Sequence, residues 1–340
     1  MSEAGGSRSR VLSGIQPTGE LHMGNYYGAV ENWIRLTDRY ECFYAIVDYH
    51  AITASYDPAV FPNLVEGMAV SLLAAGLDPD KCSLFLQSEV PEHTELGWIL
   101  TSLAPLGQLQ RMTQFKDKAG DRGEAINAGI LMYPVQQAAD ILLYKADRVP
   151  VGEDQVQHLE LARVLARRFN NAFGETFPEP QPLLTEAKRI LGLDGQAKMS
   201  KSKGNHIGIL EDPETIRKKM ATAFTDPQRL RRTDPGRPEV CNVFTWHKLL
   251  SDEATIERVD RECRSAVLGC FEDKMMMADI LIETFRPMRE RAAELRSRPG
   301  RIREVLAAGR DAARAVACET MREVHEAMGL WQTKRSPATA

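Results

Sequence analysis

Short apolar runs alternate with stretches of helical spacing over the first third of the chain. Residues 11–15 form an apolar run that enters Gln16-Pro17-Thr18-Gly19, which predicts a strand ending in a turn. From Asn25 the apolar positions Tyr26, Ala29, Val30, Trp33 and Ile34 fall on one helical face. Residues 42–47 are continuously apolar, as suits a strand buried on both faces, and Asp48-Tyr49-His50 follows at once. Residues 58–75 read as a helix closed by Gly76, residues 83–86 as a strand and residues 96–103 as a helix. The order β-α-β-α-β-α predicts a parallel, doubly wound sheet, whose ligands sit beyond the carboxyl ends of its strands. The segments 16–25 and 48–50 both belong there.

Further on, residues 126–143 predict an apolar helix pair, or one helix broken at Pro134. Residues 153–169 are amphipathic, and residues 170–182 read as a loop rich in Pro, Asn and Gly. Beyond Gly208 the pattern is helical almost throughout, and a last helix carrying Ile302, Leu306, Ala313, Val316, Met321, Val324 and Met328 ends at Gly329. The expected organisation is a flexible leader over 1–10, an α/β domain with an inserted helical segment over 11–210, a helical domain over 211–330 and a polar tail over 331–340. The last helix has the length to return to the first domain.

Composition narrows the class. The 340 residues are 43% hydrophobic and 26% charged, with a net charge of -4, which describes a globular chain with material for a core. The longest nearly apolar stretch, 67–77, is interrupted by Ser71 and falls short of the roughly 20 residues that cross a bilayer. The Gly/Ser-rich start lacks an apolar run and is expected to be a frayed leader rather than a signal peptide. Cys42, Cys82, Cys241, Cys263, Cys270 and Cys318 form no C-x-x-C pair, so neither a structural metal nor a disulfide framework is expected and a reducing, cytoplasmic setting is.

Charge is uneven. Arg217, Lys218, Lys219, Arg229, Arg231 and Arg232 face only Asp226 within their segment, and residues 286–303 hold seven arginines against Glu290 and Glu294. Either segment alone is most simply a solvated helix face; two of them on an acidic chain suit a polyanion.

The chemistry concentrates in two places. Pro17-Thr18-Gly19-Glu20-Leu21-His22-Met23-Gly24-Asn25 runs from a strand end into a helix start, where free N–H groups favour an anion. Thr18, His22 and Asn25 supply donors for phosphate oxygens. Lys198-Met199-Ser200-Lys201-Ser202, followed by Lys203-Gly204-Asn205, places lysines and hydroxyls on one loop, able to neutralise a departing polyphosphate. Neither a Walker A motif nor G-x-G-x-x-G is present.

In this order the two segments resemble the HIGH and KMSKS signatures of class I aminoacyl-tRNA synthetases, the first reading His22-Met23-Gly24-Asn25. Ser13-Gly14-Ile15-Gln16-Pro17-Thr18-Gly19, Val47-Asp48-Tyr49-His50-Ala51-Ile52-Thr53 and Arg111-Met112-Thr113-Gln114-Phe115-Lys116 resemble the bacterial-type tryptophanyl-tRNA synthetases. So do Tyr133-Pro134, Ala138-Ala139-Asp140-Ile141-Leu142 and Val149-Pro150-Val151-Gly152-Glu153-Asp154-Gln155, and the resemblance spans residues 11–330.

That resemblance implies a Rossmann-like catalytic domain, a helical domain that binds the tRNA anticodon side, and a cytoplasmic homodimer. It implies activation of L-tryptophan by ATP with Mg2+ and transfer to tRNA(Trp). Gln16, Pro17, Thr18, Gly24 and Asn25 would contact ATP, Gly152, Glu153 and Asp154 its ribose and adenine side, and Ile190 the adenine. Lys198, Met199, Ser200, Lys201 and Ser202 would close over the pyrophosphate, with Thr18, His22 and Lys116 as further catalytic groups. Asp140 would accept the indole N–H, and Gly14, His50, Tyr133 and Gln137 would shape the amino-acid pocket. Gln137 is a departure, since many bacterial relatives carry Met there. The remaining histidines, His93, His158, His206, His247 and His325, are expected to be ordinary.

Three rivals are weighed against this. Tyrosyl-tRNA synthetases share fold and signatures, but segments 48–53 and 152–155 favour tryptophan. Small-molecule adenylyltransferases lack a helical half with basic segments. A non-catalytic RNA-binding paralogue would not need His22, Asp140, Lys198 and Lys201 together.

Overall fold

The computed structural model describes residues 8–113, 115, 127–152, 156–184 and 190–330. Five parallel strands form one sheet in the order β3-β2-β1-β4-β5: β1 Arg10–Ile15, β2 Glu41–Ile46, β3 Cys82–Leu86, β4 Arg148–Val151 and β5 Gln181–Leu184. The order in which strands are added reverses between β1 and β4, a switch point that leaves a crevice at the carboxyl end of β1.

Alternation along the strands feeds two cores. Val11, Cys42, Tyr44 and Ile46 point to one face with Met68, Leu72, Trp246 and Phe285. Leu12, Phe43, Ala45 and Phe85 point to the other, with Val135, Ala139, Leu142 and Met321. A sheet buried on both faces needs near-continuous apolar strands, and β2, Glu-Cys-Phe-Tyr-Ala-Ile, is one.

β5 replaces the end of the expected loop, and β4 is a strand in a stretch where none was predicted. Both are four residues long and carry a proline, Pro150 and Pro182, which hides them from a pattern search. Residues 170–173 complete the helix Val156–Phe173 rather than open a loop. Ala128–Leu143 is one helix with Pro134 inside it, not a pair. Its start is capped by Asn127, whose side chain accepts from the Ile130 N–H at 3.1 Å.

The helices Cys270–Ser297 and Pro299–Met328 close the structure. The last crosses the open edge of the sheet at β3. A Cβ on Gly309 would lie 1.9 Å from the Leu84 carbonyl oxygen, so only glycine lets the backbones meet there. The same helix is tied to the α/β half by Arg314–Glu92 at 3.0 Å and His325–Glu95 at 2.8 Å. Among the described residues no helix is long and apolar enough to cross a membrane.

Candidate active site

The turn after β1 leads into a short helix, Met23–Asn25, that continues through a π-helical turn, Tyr26–Val30. His22 caps it. The Asn25 N–H donates to His22 Nδ1 at 3.2 Å, and the Asn25 side-chain oxygen accepts from the His22 N–H. Burial, with the Lys201 ammonium nearby, pushes the His22 pKa down to about 4, so the ring is neutral at pH 7. Since Nδ1 accepts, the single ring proton is on Nε2, and His22 is a neutral donor at a helix start.

The lysine loop lies against this turn. Lys201 Nζ donates to the Thr18 carbonyl at 2.9 Å. Gly19 has φ +92, a conformation that side chains disfavour, and a Cβ there would stand 3.3 Å from Lys201 Nζ. A Cβ on Gly24 would meet the His22 ring at 3.0 Å and Met199 Cβ at 3.1 Å. The loop is held by Met199 N–H to the Ile190 carbonyl at 3.0 Å and by Ser200 N–H to the Asn205 side-chain oxygen at 2.8 Å. Asn205 is fixed in turn by Asp194 at 2.8 Å. Ser200 and Ser202 hydroxyls share a hydrogen bond of 2.9 Å, and Lys198 is exposed. Burial lowers Lys201 to about 8 against the opposing pull of Glu20 and Glu211.

Asp140 is the buried charge of the site, 3% exposed. Its carboxylate meets His50 Nε2 and His93 Nδ1, each at 2.7 Å. Gln87 Nε2 donates to both oxygens at 2.9 Å, and Gln136 Nε2 to one at 3.2 Å. Burial pushes its pKa up, but the two imidazoles and their hydrogen bonds outweigh burial and hold it well below the usual carboxylate range. Asp140 is therefore ionised, and both histidines donate to it.

Tyr133, Gln136, Gln137 and Asp140 share a helix face by their spacing. The Tyr133 ring stands edge-on to His50 at 6.3 Å, and its hydroxyl is 3.0 Å from His158 Nε2. Burial raises the Tyr133 hydroxyl to about 12. It is Gln136, not Gln137, whose amide reaches Asp140; Gln137 is half-buried beside it. Gly14 sits near the end of β1, where a Cβ would strike Val47 Cγ1 at 2.7 Å. Gln16 and Thr18 are exposed and Pro17 is buried. Gly152 directly follows β4, and Ile190 is 6% exposed under the lysine loop. Lys116, Glu153 and Asp154 lie outside the described residues.

Three partners of Asp140 escape the sequence reading: the buried Gln87 and His93 and the half-buried Gln136. Gln87 is the first residue after β3, and His93 opens the helix Glu92–Leu103. The strand-end rule that singles out Asp48-Tyr49-His50 after β2 would have pointed to Gln87 as well. The two strand ends are also joined, since the Ser88 N–H donates to Asp48 Oδ1 at 3.0 Å. A cleft of about 650 Å³ between Leu73, Leu77, Arg291 and Val305 lies apart from these groups and shares none of them. Among the described residues no cluster of three or more His, Cys, Asp or Glu is placed to hold a metal ion.

A lysine loop lying against the helix start at the strand-order switch, with a buried ionised carboxylate among hydrogen-bond donors at the neighbouring strand ends, suits a synthetase that activates an acid with a nucleotide. The family model for tRNA synthetases class I (W and Y) matches residues 4–286, and the chain belongs to that family. It is 52% identical over 327 residues to the tryptophan–tRNA ligase of Deinococcus radiodurans, covering 95% of this chain and 99% of that one. Those values place it in the tryptophan branch of the family. Its structure is similar to the tryptophanyl-tRNA synthetase of Campylobacter jejuni complexed with ADP and tryptophan. That match has a TM-score of 0.87 and 37% identity, covering 94% of this chain and 100% of that one. A tyrosyl-tRNA synthetase of Archaeoglobus fulgidus, at TM-score 0.64 and 23% identity over 84% of this chain and 90% of that one, shows the common fold alone.

Proposed function

We propose that the chain activates L-tryptophan with ATP and transfers it to the 3′ end of tRNA(Trp). The observation that carries this reading is the contact between Lys201 and Thr18 at the carboxyl end of β1, with the buried acceptor Asp140 across the same strand ends.

A carboxylate oxygen of tryptophan attacks the α-phosphorus of ATP. The new O–P bond forms as the bond to the β-phosphate breaks, and pyrophosphate leaves with the electron pair. The substrate is its own nucleophile, so the protein's work is positioning and charge stabilisation. Lys198 and Lys201 neutralise the leaving group, while Thr18, His22 Nε2–H, Ser200 and Ser202 donate to its oxygens. Lys116 adds a further cation. Mg2+ would enter with the nucleotide as part of the substrate and supply further neutralisation of phosphate charge. Gln16, Pro17, Gly24 and Asn25 contact ATP, Gly152, Glu153 and Asp154 hold its ribose and adenine side, Ile190 lines the adenine, and Met199 closes over the pyrophosphate with the rest of its loop. In the second step a terminal ribose hydroxyl of the tRNA attacks the activated carbonyl, and AMP departs.

Asp140 accepts the indole N–H, within a pocket shaped by Gly14, His50, Tyr133 and Gln137. An analogue without that donor forgoes a charge-assisted hydrogen bond to an ionised acceptor, which penalises it against tryptophan. A homodimer is the assembly that goes with this reading. The six cysteines are free thiols, which suits the cytoplasm.

ATP–pyrophosphate exchange with tryptophan and with tyrosine, in parallel and without tRNA, tests the reading. Exchange with tryptophan alone is expected. Exchange with tyrosine moves the assignment to the sister enzyme, and exchange with neither removes the catalytic reading.

A further inference from the structure

The Asp140 carboxylate is fully engaged by the protein. Its two oxygens offer about four lone-pair directions, and they receive His50 Nε2, His93 Nδ1, Gln136 Nε2 and both contacts of Gln87 Nε2. An arriving indole N–H must share or replace one of these donors. The carboxylate keeps its aim during that exchange only if another donor cannot move.

His93 is the donor that cannot. It is 0% exposed, and both ring nitrogens are bonded. Asp140 is ionised, so Nδ1 carries the proton it donates. In the neutral ring Nε2 then accepts from the Tyr144 hydroxyl, 2.8 Å away. Tyr144 is also fully buried, stacked on Phe43 with ring centres 4.7 Å apart and packed on Phe85. Phe85 stacks on the His93 ring itself at 6.0 Å. The backbone carbonyl of His93 accepts from Gln136 Nε2 at 3.0 Å, so His93 also fixes a second donor to Asp140. Just before it, Glu92 is anchored to Arg314 of the terminal helix.

We infer that His93, locked by Tyr144, is the positioning residue that sets the tautomer-defined hydrogen bond orienting Asp140 toward the indole N–H, and so sets specificity for tryptophan without touching it. The inference rests on Asp140 being the indole acceptor.

The test is ATP–pyrophosphate exchange with tryptophan and with β-(3-benzothienyl)alanine, which carries sulfur where indole carries N–H. The readout is the ratio of the two kcat/KM values, together with the KM for ATP. His93→Leu is expected to lower the ratio about tenfold, the order set by one charge-assisted hydrogen bond. His93→Asn, whose amide can donate from near the Nδ1 position, is expected to restore most of it. Tyr144→Phe keeps the packing, removes only the hydroxyl, and is expected to lower the ratio about threefold, as a neutral hydrogen bond would. The KM for ATP stays unchanged in all three. Asp140→Asn serves as the reference. If it leaves the ratio unchanged, the assignment of Asp140 falls and this inference with it. If it collapses the ratio while the folded His93→Asn and Tyr144→Phe enzymes both match the parent and His93→Leu loses activity equally toward both substrates, His93 is structural only and the inference alone is overturned.

Discussion

Lys201 donates to the backbone carbonyl of Thr18 at 2.9 Å, which joins the lysine loop to the turn after β1 directly. Polyphosphate competes for that ammonium. Charge on the leaving pyrophosphate grows along the reaction, so Lys201 contributes more to the transition state than to ground-state binding. Lys201→Ala is expected to slow adenylate formation about 100-fold or more, in the range for removing one preorganised electrostatic group. Tryptophan affinity should change little. Single-turnover adenylation beside equilibrium tryptophan binding checks this, and equal losses in both would place the loop elsewhere.

The same lysine predicts proton uptake. Its pKa of about 8 reflects burial without a polyanion beside it. A polyphosphate favours the charged form and raises the value toward or beyond the ordinary Lys range near 10. ATP binding between those values therefore takes up a proton, and uptake fades below about pH 7, where the lysine is already charged. Calorimetry at pH 8.5 in two buffers of different ionisation enthalpy reads the proton directly. Uptake that survives in Lys201→Met would assign it to another group.

His22 makes stability depend on pH. Its folded pKa of about 4 lies below the ordinary 6.5. Between those values the unfolded chain binds a proton that the folded chain refuses, so stability is full above about 6.5 and falls as pH drops toward 4. His22→Asn retains an acceptor for the Asn25 N–H but does not titrate. The variant is expected to hold its stability at pH 7 within about 0.5 kcal/mol, and to lose less than the parent on going to pH 5. It loses the Nε2–H donor, so its adenylation rate falls at every pH. Urea denaturation at the two pH values decides, and identical losses for parent and variant would show that another group carries the dependence.

How much of this was legible in sequence follows from the physics of each element. β1, β2 and β3 are apolar runs closed by turns, and a sheet buried on both faces demands such runs. β4 and β5 are defined by pairing, such as Val149 with Pro182 and Val151 with Leu184. Pairing between segments that each carry a proline leaves no local trace. The two segments that the fold brings together, Pro17 to Asn25 and Lys198 to Ser202, are each contiguous and were readable as candidate loops. The shell around Asp140 was not. Gln87, His93 and Gln136 come from three separate segments, and a lone His or Gln in a helix has no pattern until the fold brings it to a carboxylate.

Gly309 shows the same limit in packing. It sits within a 30-residue helix, where glycine is unfavourable by about 1 kcal/mol against alanine. That propensity alone would make Gly309→Ala stabilising. The neighbouring atom, however, is the Leu84 carbonyl oxygen, 1.9 Å from the added carbon, and backbone in an edge strand cannot turn aside. Overpacking wins, and Gly309→Ala is expected to destabilise by about 2–3 kcal/mol. Thermal denaturation checks the sign, and a raised Tm would mean the helix can lift from β3.

The basic segments carry the last prediction. In the second, Arg286, Arg298 and Arg301 are paired with Glu283, Glu294 and Glu304 on the surface. Such exposed pairs contribute only about 0–1 kcal/mol and yield readily to phosphate. In the first, Arg229 is internal scaffolding, since its guanidinium donates to the Arg232 carbonyl and lies against Cys263 and Cys270. Arg231 and Arg232 flank Leu230, which is 86% exposed, and they face solvent. With the exposed Arg217 and Lys218, which are only ion-paired on the surface, these two are the residues of that segment placed to reach a tRNA backbone. Each phosphate contact contributes about 0.7 to 0.9 to the slope of log affinity against log salt. Arg231→Gln with Arg232→Gln is expected to lower the slope for tRNA(Trp) binding by about 1.4 to 1.8, measured by filter binding across a salt series. A parent enzyme whose tRNA affinity is flat with salt would remove both segments from the interface. An unchanged slope in the double variant would remove Arg231 and Arg232 from the interface.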